Sequence, residues 1–373
     1  MTFDVHTHIL TKSIYPKDLF IGRLSIPEDL VELLLNEISE HRDISKVVAM
    51  ITKLIGGRAD RIVQLVRWFQ MDMEEQQKEF ETQASGHTDI VCPLGLDLDF
   101  TANNFQTSLS QYIPMATQIA SLSEWAKRGQ GKVLPFFPVD PRRKGILEAM
   151  IKGLEHQGFM GIKMYPAMGW FPSGWDIHPV LRAIYGYCED NRIPITVHCS
   201  AGGVHGQDTS PGKYKYWTTP LEWQAVMVEY PMLVVNLAHF GGQVPFENFW
   251  NTDPTVQPPS NWTWRIVEML MAEYDNVFTD ISFHDDAMSD EHVRPWLSAM
   301  ITALSDGFAC DRIMMGSDWP LHHTMYSYSH WVGDMQKLVG RYNWDLISNY
   351  NPRRFLFGES GVMPQRLTDF YKR

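Results

Sequence analysis

The segment MTFDVHTHIL (residues 1–10) places two histidines one residue apart inside a short run that is typical of a β-strand. Side chains alternate between the two faces of a strand, so Asp4, His6 and His8 share one face while Val5 and Thr7 take the other. A buried polar face is costly unless each of its groups is paired or coordinated. The segment fits either two structural histidines or a metal site, and the rest of the chain must distinguish them.

Length and composition limit the class of protein. The chain has 373 residues, 44% of them hydrophobic and 20% charged, enough for one large α/β barrel or two ordinary domains. Its formal net charge of −12 argues against nucleic acid or an anionic membrane as the main partner. We expect no signal peptide and no membrane span, and the cysteines form no C-x-x-C pair. These features predict a cytoplasmic protein with reduced thiols.

Eight short β-rich runs recur along the chain and indicate its fold. The intervals from His198 to His239, to Asp280 and to Asp318 suit one strand and one helix per repeating unit. We therefore predict a (β/α)8 TIM barrel in a single domain over residues 1–373. A doubly wound sheet would carry a glycine-rich phosphate turn after the first strand, and the sequence has none there. The runs are FDVHTH (3–8), DIVCPLGLDL (89–98), KVLPFFPVD (132–140), MGIKMYP (160–166), PITVHC (194–199), LVVNLAH (233–239), NVFTDIS (276–282) and RIMMGSD (312–318).

One interval is much longer than the others, because about 80 residues separate the first two runs. Ile62, Val66, Phe69, Met73 and Phe80 follow a four-three spacing that is typical of an amphipathic helix. We predict a helical insertion between strands 1 and 2, at about residues 28–85. Three roles stay open for it: packing over the barrel, a lid above the site, or the surface of a homodimer.

Polar residues gather where the predicted strands end, which is where barrel enzymes place their chemistry. Histidines with a carboxylate suit Zn²⁺ or a similar divalent ion such as Mn²⁺. An incompletely filled coordination sphere would leave a position for water or a small-molecule substrate. The residues are His6 and His8 on strand 1, Lys163 on strand 4, His198 on strand 5, His239 on strand 6 and Asp318 on strand 8.

Five short motifs in a fixed order carry a family resemblance: H-T-H (6–8), G-I-K-M-Y-P (161–166), V-H-C (197–199), A-H-F-G-G (238–242) and G-S-D-W-P (316–320). Together they resemble the amidohydrolase superfamily, and specifically its amidohydrolase-related branch. The segment NPRRFLFG (351–358) is similar to the one that follows the last strand in that branch. The branch contains hydrolases, lactonases and metal-dependent non-oxidative decarboxylases, so the resemblance does not fix the reaction.

Register, order and resemblance together predict the metal ligands His6, His8, His198 and Asp318. Asp318 would also accept a proton from a water whose pKa the metal lowers. The resemblance implies that His239 either binds a second metal or acts on the substrate as acid, base or polarising group. The first functional hypothesis is a hydrolase that acts on a C–O or C–N bond, and the alternative is a decarboxylase.

The role of Lys163 has two alternatives. It resembles the strand-4 lysine that is carboxylated and bridges two metals in phosphotriesterase and dihydroorotase. As a cation beside a single metal, which we favour, it would instead orient a substrate carboxylate. Together with Tyr165, Trp170 and Trp319, it is a candidate substrate contact, and the aromatic residues after the strands indicate a flat or aromatic substrate.

Two carboxylates and one thiol complete the candidates. Asp4 shares the polar face of strand 1 but lies deeper, so we interpret it as a structural or supporting carboxylate. Asp280 and Ser282 end strand 7 on its inward face, where Asp280 is either a support for the ligands or a structural group. Cys199 follows His198 directly and therefore points to the opposite face, which argues against a cysteine nucleophile.

Overall fold

The computed structural model describes residues 1–9, 11, 68, 71–98, 113–203, 214–252, 260–284, 293–321 and 327–373. Most of the predicted insertion at about 28–85 lies outside these residues, including Ile62, Val66 and Phe69. Its described end is a helix, α1 (Met73–Ala84), which begins at Asp72 with reciprocal hydrogen bonds between Asp72 and Glu75.

Each of the eight predicted runs contains a strand, and every observed pairing between strands is parallel. The strands are short, because each is bounded by turns and by the helices that follow. They are β1 (Phe3–Thr7), β2 (Ile90–Pro93), β3 (Phe136–Val139), β4 (Gly161–Met164), β5 (Ile195–Ser200), β6 (Val235–Gly241), β7 (Val277–Asp280) and β8 (Ile313–Met314).

The strands form two sheets among the described residues. β1 pairs with β2, and β3 to β8 form a six-stranded sheet in sequence order. Isolated parallel bridges join Thr7 to Trp319 on one side and Val91 to Val133 on the other. This confirms the parallel α/β prediction, whereas a continuous closed barrel is not observed. The two-residue strand β8 and the four-residue strand β2 leave few positions for regular pairing at these two junctions.

Helices follow most of the strands and cover their outer faces. The helix Ile146–His156 shows why, because its apolar residues recur on one side and Ile146, Met150 and Leu154 are buried. The remaining described α-helices are α2 (Ile113–Gly129), α3 (Ile146–His156), α4 (Val180–Asp190), α5 (Tyr214–Trp217), α6 (Leu221–Glu229), α7 (Gln243–Asn251), α8 (Trp262–Trp264), α9 (Val293–Ala303), α10 (Tyr328–Val339), α11 (Arg341–Asp345), α12 (Asn351–Phe357) and α13 (Gln365–Lys372), together with a 3-10 helix (Pro166–Met168) and two π-helices (Arg265–Met271 and Leu346–Tyr350). None of the described helices has the length and apolar character that crossing a membrane requires.

The two ends of the strands differ in chemistry. At the amino ends, Phe355 of α12 stacks on Phe136 with ring centroids 6.2 Å apart and contacts Phe278 at 5.4 Å. These rings are buried in one apolar cluster. Cys199 is buried in the cluster between strands and helices, on the face opposite His198. The polar side chains collect at the carboxyl ends of the strands.

Candidate metal centre

Three potential ligand atoms converge beyond the carboxyl end of β1. Nε2 of His6 lies 3.2 Å from Nε2 of His8, and Oδ1 of Asp318 lies 3.4 Å and 3.2 Å from these two nitrogens. Ligand atoms held about 2.0–2.1 Å from a tetrahedral ion are separated by about 3.3 Å. The three buried atoms therefore have the spacing of three ligands around one divalent cation.

The outer nitrogens of both histidines face oxygen atoms that can only accept a proton. His6 Nδ1 donates to Asp280 Oδ2 at 3.1 Å, and His8 Nδ1 donates to the carbonyl oxygen of Leu94 at 2.9 Å. Burial lowers the pKa of His6 to about 3, so this ring is neutral near pH 7. Two nitrogen lone pairs and one carboxylate oxygen then face a common point. Such an all-acceptor arrangement fits a bound cation.

The backbone of Asp318 directs its carboxylate to this point. Its φ of 52° is left-handed, a conformation that aspartate tolerates better than most residues, and its amide donates to His6 O at 2.8 Å. Gly316 permits this approach, because a Cβ there would lie 2.7 Å from His6 Cβ. Burial would raise the pKa of Asp318, but its interactions with His8, His6 and His239 outweigh burial, and the pKa lies well below its usual range.

His198 and His239 form a second pair at the same cavity. His198 Nδ1 lies 3.0 Å from His239 Nε2, while their outer nitrogens face the carbonyl oxygens of Gly202 at 2.8 Å and Ser282 at 3.2 Å. Burial lowers the pKa of both histidines. In this structure the nitrogens of His198 contact His239 and Gly202, so its role as a fourth metal ligand stays a prediction.

Lys163 brings an amine to the three converging ligand atoms. Its Nζ lies 3.4 Å from His6 Nε2, and the side chain is buried. Burial lowers the pKa of Lys163 to about 8, although the charges of Asp280 and Asp318 act in the opposite direction. Both predicted roles of Lys163 remain compatible with this position.

Both polar and apolar side chains line the cavity. Tyr165 stacks against the ring of His198 with centroids 4.5 Å apart. Gly203 approaches His198 closely at a φ of 105°, and a Cβ there would lie 2.4 Å from His198 Nε2. The described lining residues are His8, Lys163, Tyr165, His198, Ser200, Gly203, His239 and Asp318 together with Leu96, Leu98, Phe283 and Leu321.

Two predicted substrate contacts lie outside the cavity wall formed by the described residues. Trp319 packs against Trp68 and Phe80, each with ring centroids 5.2 Å from it, and its Nε1 donates to Gln83. Trp170 is buried in the core between strands and helices. Their position after strands 8 and 4 is as predicted, whereas a contact with substrate stays a prediction.

Three residues next to the candidate ligands hold them in place through hydrogen bonds that the sequence alone does not indicate. Asn236 Nδ2 donates to Asp280 Oδ2 at 2.7 Å, and the hydroxyl of Ser282 contacts both His6 and His239. His284 is buried and its Nε2 donates to His239 O at 3.1 Å. Strand alternation counted back from His239 places Leu237 rather than Asn236 on the inward face, because the left-handed φ of His239 interrupts the alternation, and the contact of Asn236 with Asp280 is long-range.

Sequence comparison identifies one family. A family model described as "Amidohydrolase" matches residues 95–358 of the chain. No curated protein matches it in sequence.

Solved structures share the fold at low sequence identity. A probable 2-pyrone-4,6-dicarboxylic acid hydrolase from Acinetobacter baumannii, with citric acid bound, is 14% identical, with a TM-score of 0.55, over 96% of this chain and 99% of that one. The 5-carboxyvanillate decarboxylase of Novosphingobium aromaticivorans, with manganese, is 13% identical, with a TM-score of 0.56, over 95% and 96%. An amidohydrolase from Burkholderia multivorans, with zinc, is 12% identical, with a TM-score of 0.53, over 95% and 99%.

Proposed function

We propose, from the premise that this chain belongs to the amidohydrolase family, that it is a metal-dependent hydrolase acting on a C–O or C–N bond of a small substrate. The observation that carries the proposal is the convergence of His6 Nε2, His8 Nε2 and Asp318 Oδ1 at 3.2–3.4 Å. A bound divalent cation would polarise a substrate carbonyl oxygen and lower the pKa of a water.

The side chains around this point have complementary roles in the proposed reaction. His6, His8 and Asp318 would hold the cation, with His198 as the fourth ligand. Asp318 accepts a proton from the attacking water, and His239 stabilises developing charge or gives a proton to the leaving group. We propose zinc as the ion, with manganese as the alternative, since structures with the same fold contain one or the other.

The substrate is proposed to be small, with an apolar or aromatic part and an anionic group. The apolar lining residues Leu96, Leu98, Phe283 and Leu321 support the first feature, and the lining residue Lys163 supports the second. The hydrolase named among the similar structures acts on a pyrone dicarboxylic acid, which combines both features.

The second candidate function is a non-oxidative decarboxylase. The observation that favours it is the buried amine of Lys163 next to the converging ligand atoms, 3.4 Å from His6 Nε2. A protonated Lys163 would bind a substrate carboxylate there as a point charge, and His239 or Asp318 would protonate the carbon after loss of CO₂. One similar structure is a manganese-containing decarboxylase of an aromatic acid.

Three further features of the protein belong to the same proposal. We propose that the two sheets close into one barrel domain through the bridges at Thr7 and Val91. We also propose that the insertion has the function of a lid, with a homodimer surface as the alternative, and that the protein acts in the cytoplasm on a small molecule rather than on nucleic acid or membrane. Deleting residues 59–67 and measuring turnover, metal content and mass in solution separates a lid from a dimer surface. Reduced turnover at unchanged mass supports the lid.

The experiment that separates the two functions is a screen of the Zn²⁺- and Mn²⁺-loaded protein against lactones, amides and aromatic carboxylic acids. CO₂ release is scored separately from ring opening or amide cleavage. We expect cleavage without CO₂, and its dependence on Asp318 is checked with Asp318→Asn. CO₂ release as the main product would replace the hydrolase with the decarboxylase. No turnover of any class by fully loaded protein would contradict both.

The variant Lys163→Met tests the proposed substrate contact within this screen. We expect it to keep its metal and to lose about 10- to 100-fold in kcat/KM on anionic substrates, the worth of one charge-assisted hydrogen bond. Neutral substrates should be affected less. Loss of one of two bound metals in this variant would instead assign Lys163 to a bridging carbamate.

A further inference from the structure

A second group of potential ligands lies beside the first and shares His6 with it. One ligand atom each of His6, His239 and Asp280 lies within 4.8 Å of the other two, and all three residues are buried. The hydroxyl of Ser282 lies among them, with its Oγ 3.0 Å from His6 Nδ1 and 2.9 Å from His239 Nδ1. The same oxygen makes a short hydrogen bond to Asp280 Oδ1.

Which of these atoms donate hydrogen bonds and which accept them depends on where the available protons lie. Asp280 accepts hydrogen bonds at both oxygens, from Asn236 Nδ2 at 2.7 Å and from the amides of His239 and Ser282 at 3.1 Å, so it is a carboxylate that only accepts. The hydroxyl of Ser282 has one proton, and it goes to Asp280. The lone pairs of Oγ are then left to accept from the ring nitrogens of both histidines.

Placing the ring proton of His239 on Nε2 instead of Nδ1 would leave more of these contacts without a hydrogen bond. If Nε2 of His239 carried the proton, it would donate to His198 Nδ1 at 3.0 Å, but Nδ1 would be an acceptor facing the carbonyl oxygen of Ser282 at 3.2 Å. The hydroxyl would then have to donate either to Nδ1 or to Asp280, and the other contact would lose its hydrogen bond. With the proton on Nδ1, the contacts of Ser282 with His239 and Asp280 are all satisfied.

We propose that Ser282 is a positioning residue that fixes the proton of His239 on Nδ1, so that Nε2 faces the cavity as an acceptor. The same hydroxyl lies where a cation held by His6, His239 and Asp280 would have to bind. A role of His239 Nε2 as an acid or base on the substrate rests on the proposed function. The tautomer of His239 does not depend on that function.

The backbone around His239 agrees with a positioning role. His239 has a left-handed φ of 67°, which is uncommon outside glycine, and its amide donates to Asp280 Oδ1 at 3.1 Å. Asp280 therefore holds the main chain of His239 directly and reaches its ring through Ser282. Both contacts come from the end of β7, so the ring and the backbone of His239 are fixed by one element.

The test is the tautomer of His239 in the zinc-loaded protein, measured by ¹⁵N–¹H correlation spectra of histidine-labelled chain. The chain has 14 histidines, so the signals of His239 are assigned by their loss in His239→Gln. We expect the Nδ1–H pattern in the wild-type protein. A wild-type Nε2–H pattern would overturn the proposal whether or not any variant folds.

Two substitutions add a second readout. Ser282→Ala should give mixed tautomers and about a tenfold lower kcat at unchanged KM, as for other residues that orient an active-site histidine. Ser282→Thr keeps the hydroxyl and should restore the wild-type pattern. An unchanged tautomer in folded, metal-loaded Ser282→Ala would contradict the role of Ser282. Because the spectra need no substrate, failure of the proposed function leaves this test intact.

Discussion

Two groups of buried side chains share His6, and they differ in what lies between their potential ligand atoms. In the His6–His8–Asp318 group, two nitrogen lone pairs and a carboxylate oxygen face one another at 3.2–3.4 Å. In the His6–His239–Asp280 group, the hydroxyl of Ser282 lies among the same kinds of atom and hydrogen-bonds to each of them.

The comparison shows that residue type and distance do not by themselves define a metal site. The first group consists of acceptors, so a cation satisfies it. The second alternates donors and acceptors, so it is satisfied without one. His6 belongs to both because its two ring nitrogens have opposite roles: Nδ1 donates to Asp280 and Nε2 faces Asp318. Single substitutions can therefore change one group at a time.

The largest effect is expected from Asp318→Asn, which removes the negative charge of the first group. We expect kcat/KM to fall by about 10²- to 10⁴-fold, since Asp318 is both a proposed ligand and the proposed proton acceptor. Steady-state kinetics at saturating Zn²⁺ measures this loss. Wild-type turnover in the variant would break the assignment of Asp318.

Asp280→Asn weakens the first group indirectly, through the hydrogen bond to His6 Nδ1. Replacing the carboxylate that orients a metal-bound histidine costs about 10- to 100-fold in metal affinity. Competition with a chromophoric chelator measures the change. The matched control is Asp334→Asn, at a partly exposed acid that pairs with Lys337 on α10. If both variants bind zinc equally well, Asp280 does not support the site.

The metal-free protein should lose stability in mild acid. The pKa of His6 falls from 6.5 to about 3 on folding, so between these values the unfolded chain binds a proton that the folded one excludes. The contribution to the free energy of unfolding is complete above pH 6.5. It falls by about 1.4 kcal/mol per pH unit as the pH drops towards 3. Urea unfolding at several pH values measures this slope.

The variant His6→Asn assigns the slope to its source, because it should reduce the slope by the contribution of one proton. Equal slopes in wild type and His6→Asn would contradict a neutral, buried His6.

The smallest effect on the metal is expected from Tyr328→Phe, next to a third buried carboxylate. Tyr328 donates to Asp4 Oδ2 at 3.0 Å, and burial raises the pKa of Asp4 to about 7. Loss of this hydrogen bond should cost about 1–3 kcal/mol of stability and leave zinc affinity unchanged. Thermal unfolding and chelator competition measure the two quantities. A large loss of zinc affinity would extend the site to Asp4.

Much of this comparison could be predicted from local sequence pattern. Strand alternation places His6 and His8 on one face of β1, and the order of the motifs places Asp318 beyond β8, where the structure brings the three together. The short β-rich runs also predict all eight strands, because each is largely apolar and bounded by turns.

The remaining features depend on contacts that sequence distance hides. Ser282 and His6 are separated by 276 positions, and which proton lies between them depends on the shared partner Asp280. The indole of Trp319 could face either the cavity or the helix that covers it. It packs on Phe80 of α1, and the local sequence after strand 8 does not indicate which of the two surfaces the indole contacts.

The most direct test of the account is the metal content of the purified chain and of two matched variants, measured by elemental analysis after dialysis against Zn²⁺. We predict one ion per wild-type chain, one per chain of Ser282→Ala, and a large loss in His8→Ala. Two ions in the wild-type protein, or one ion that persists in His8→Ala, would contradict a single site built by His6, His8 and Asp318.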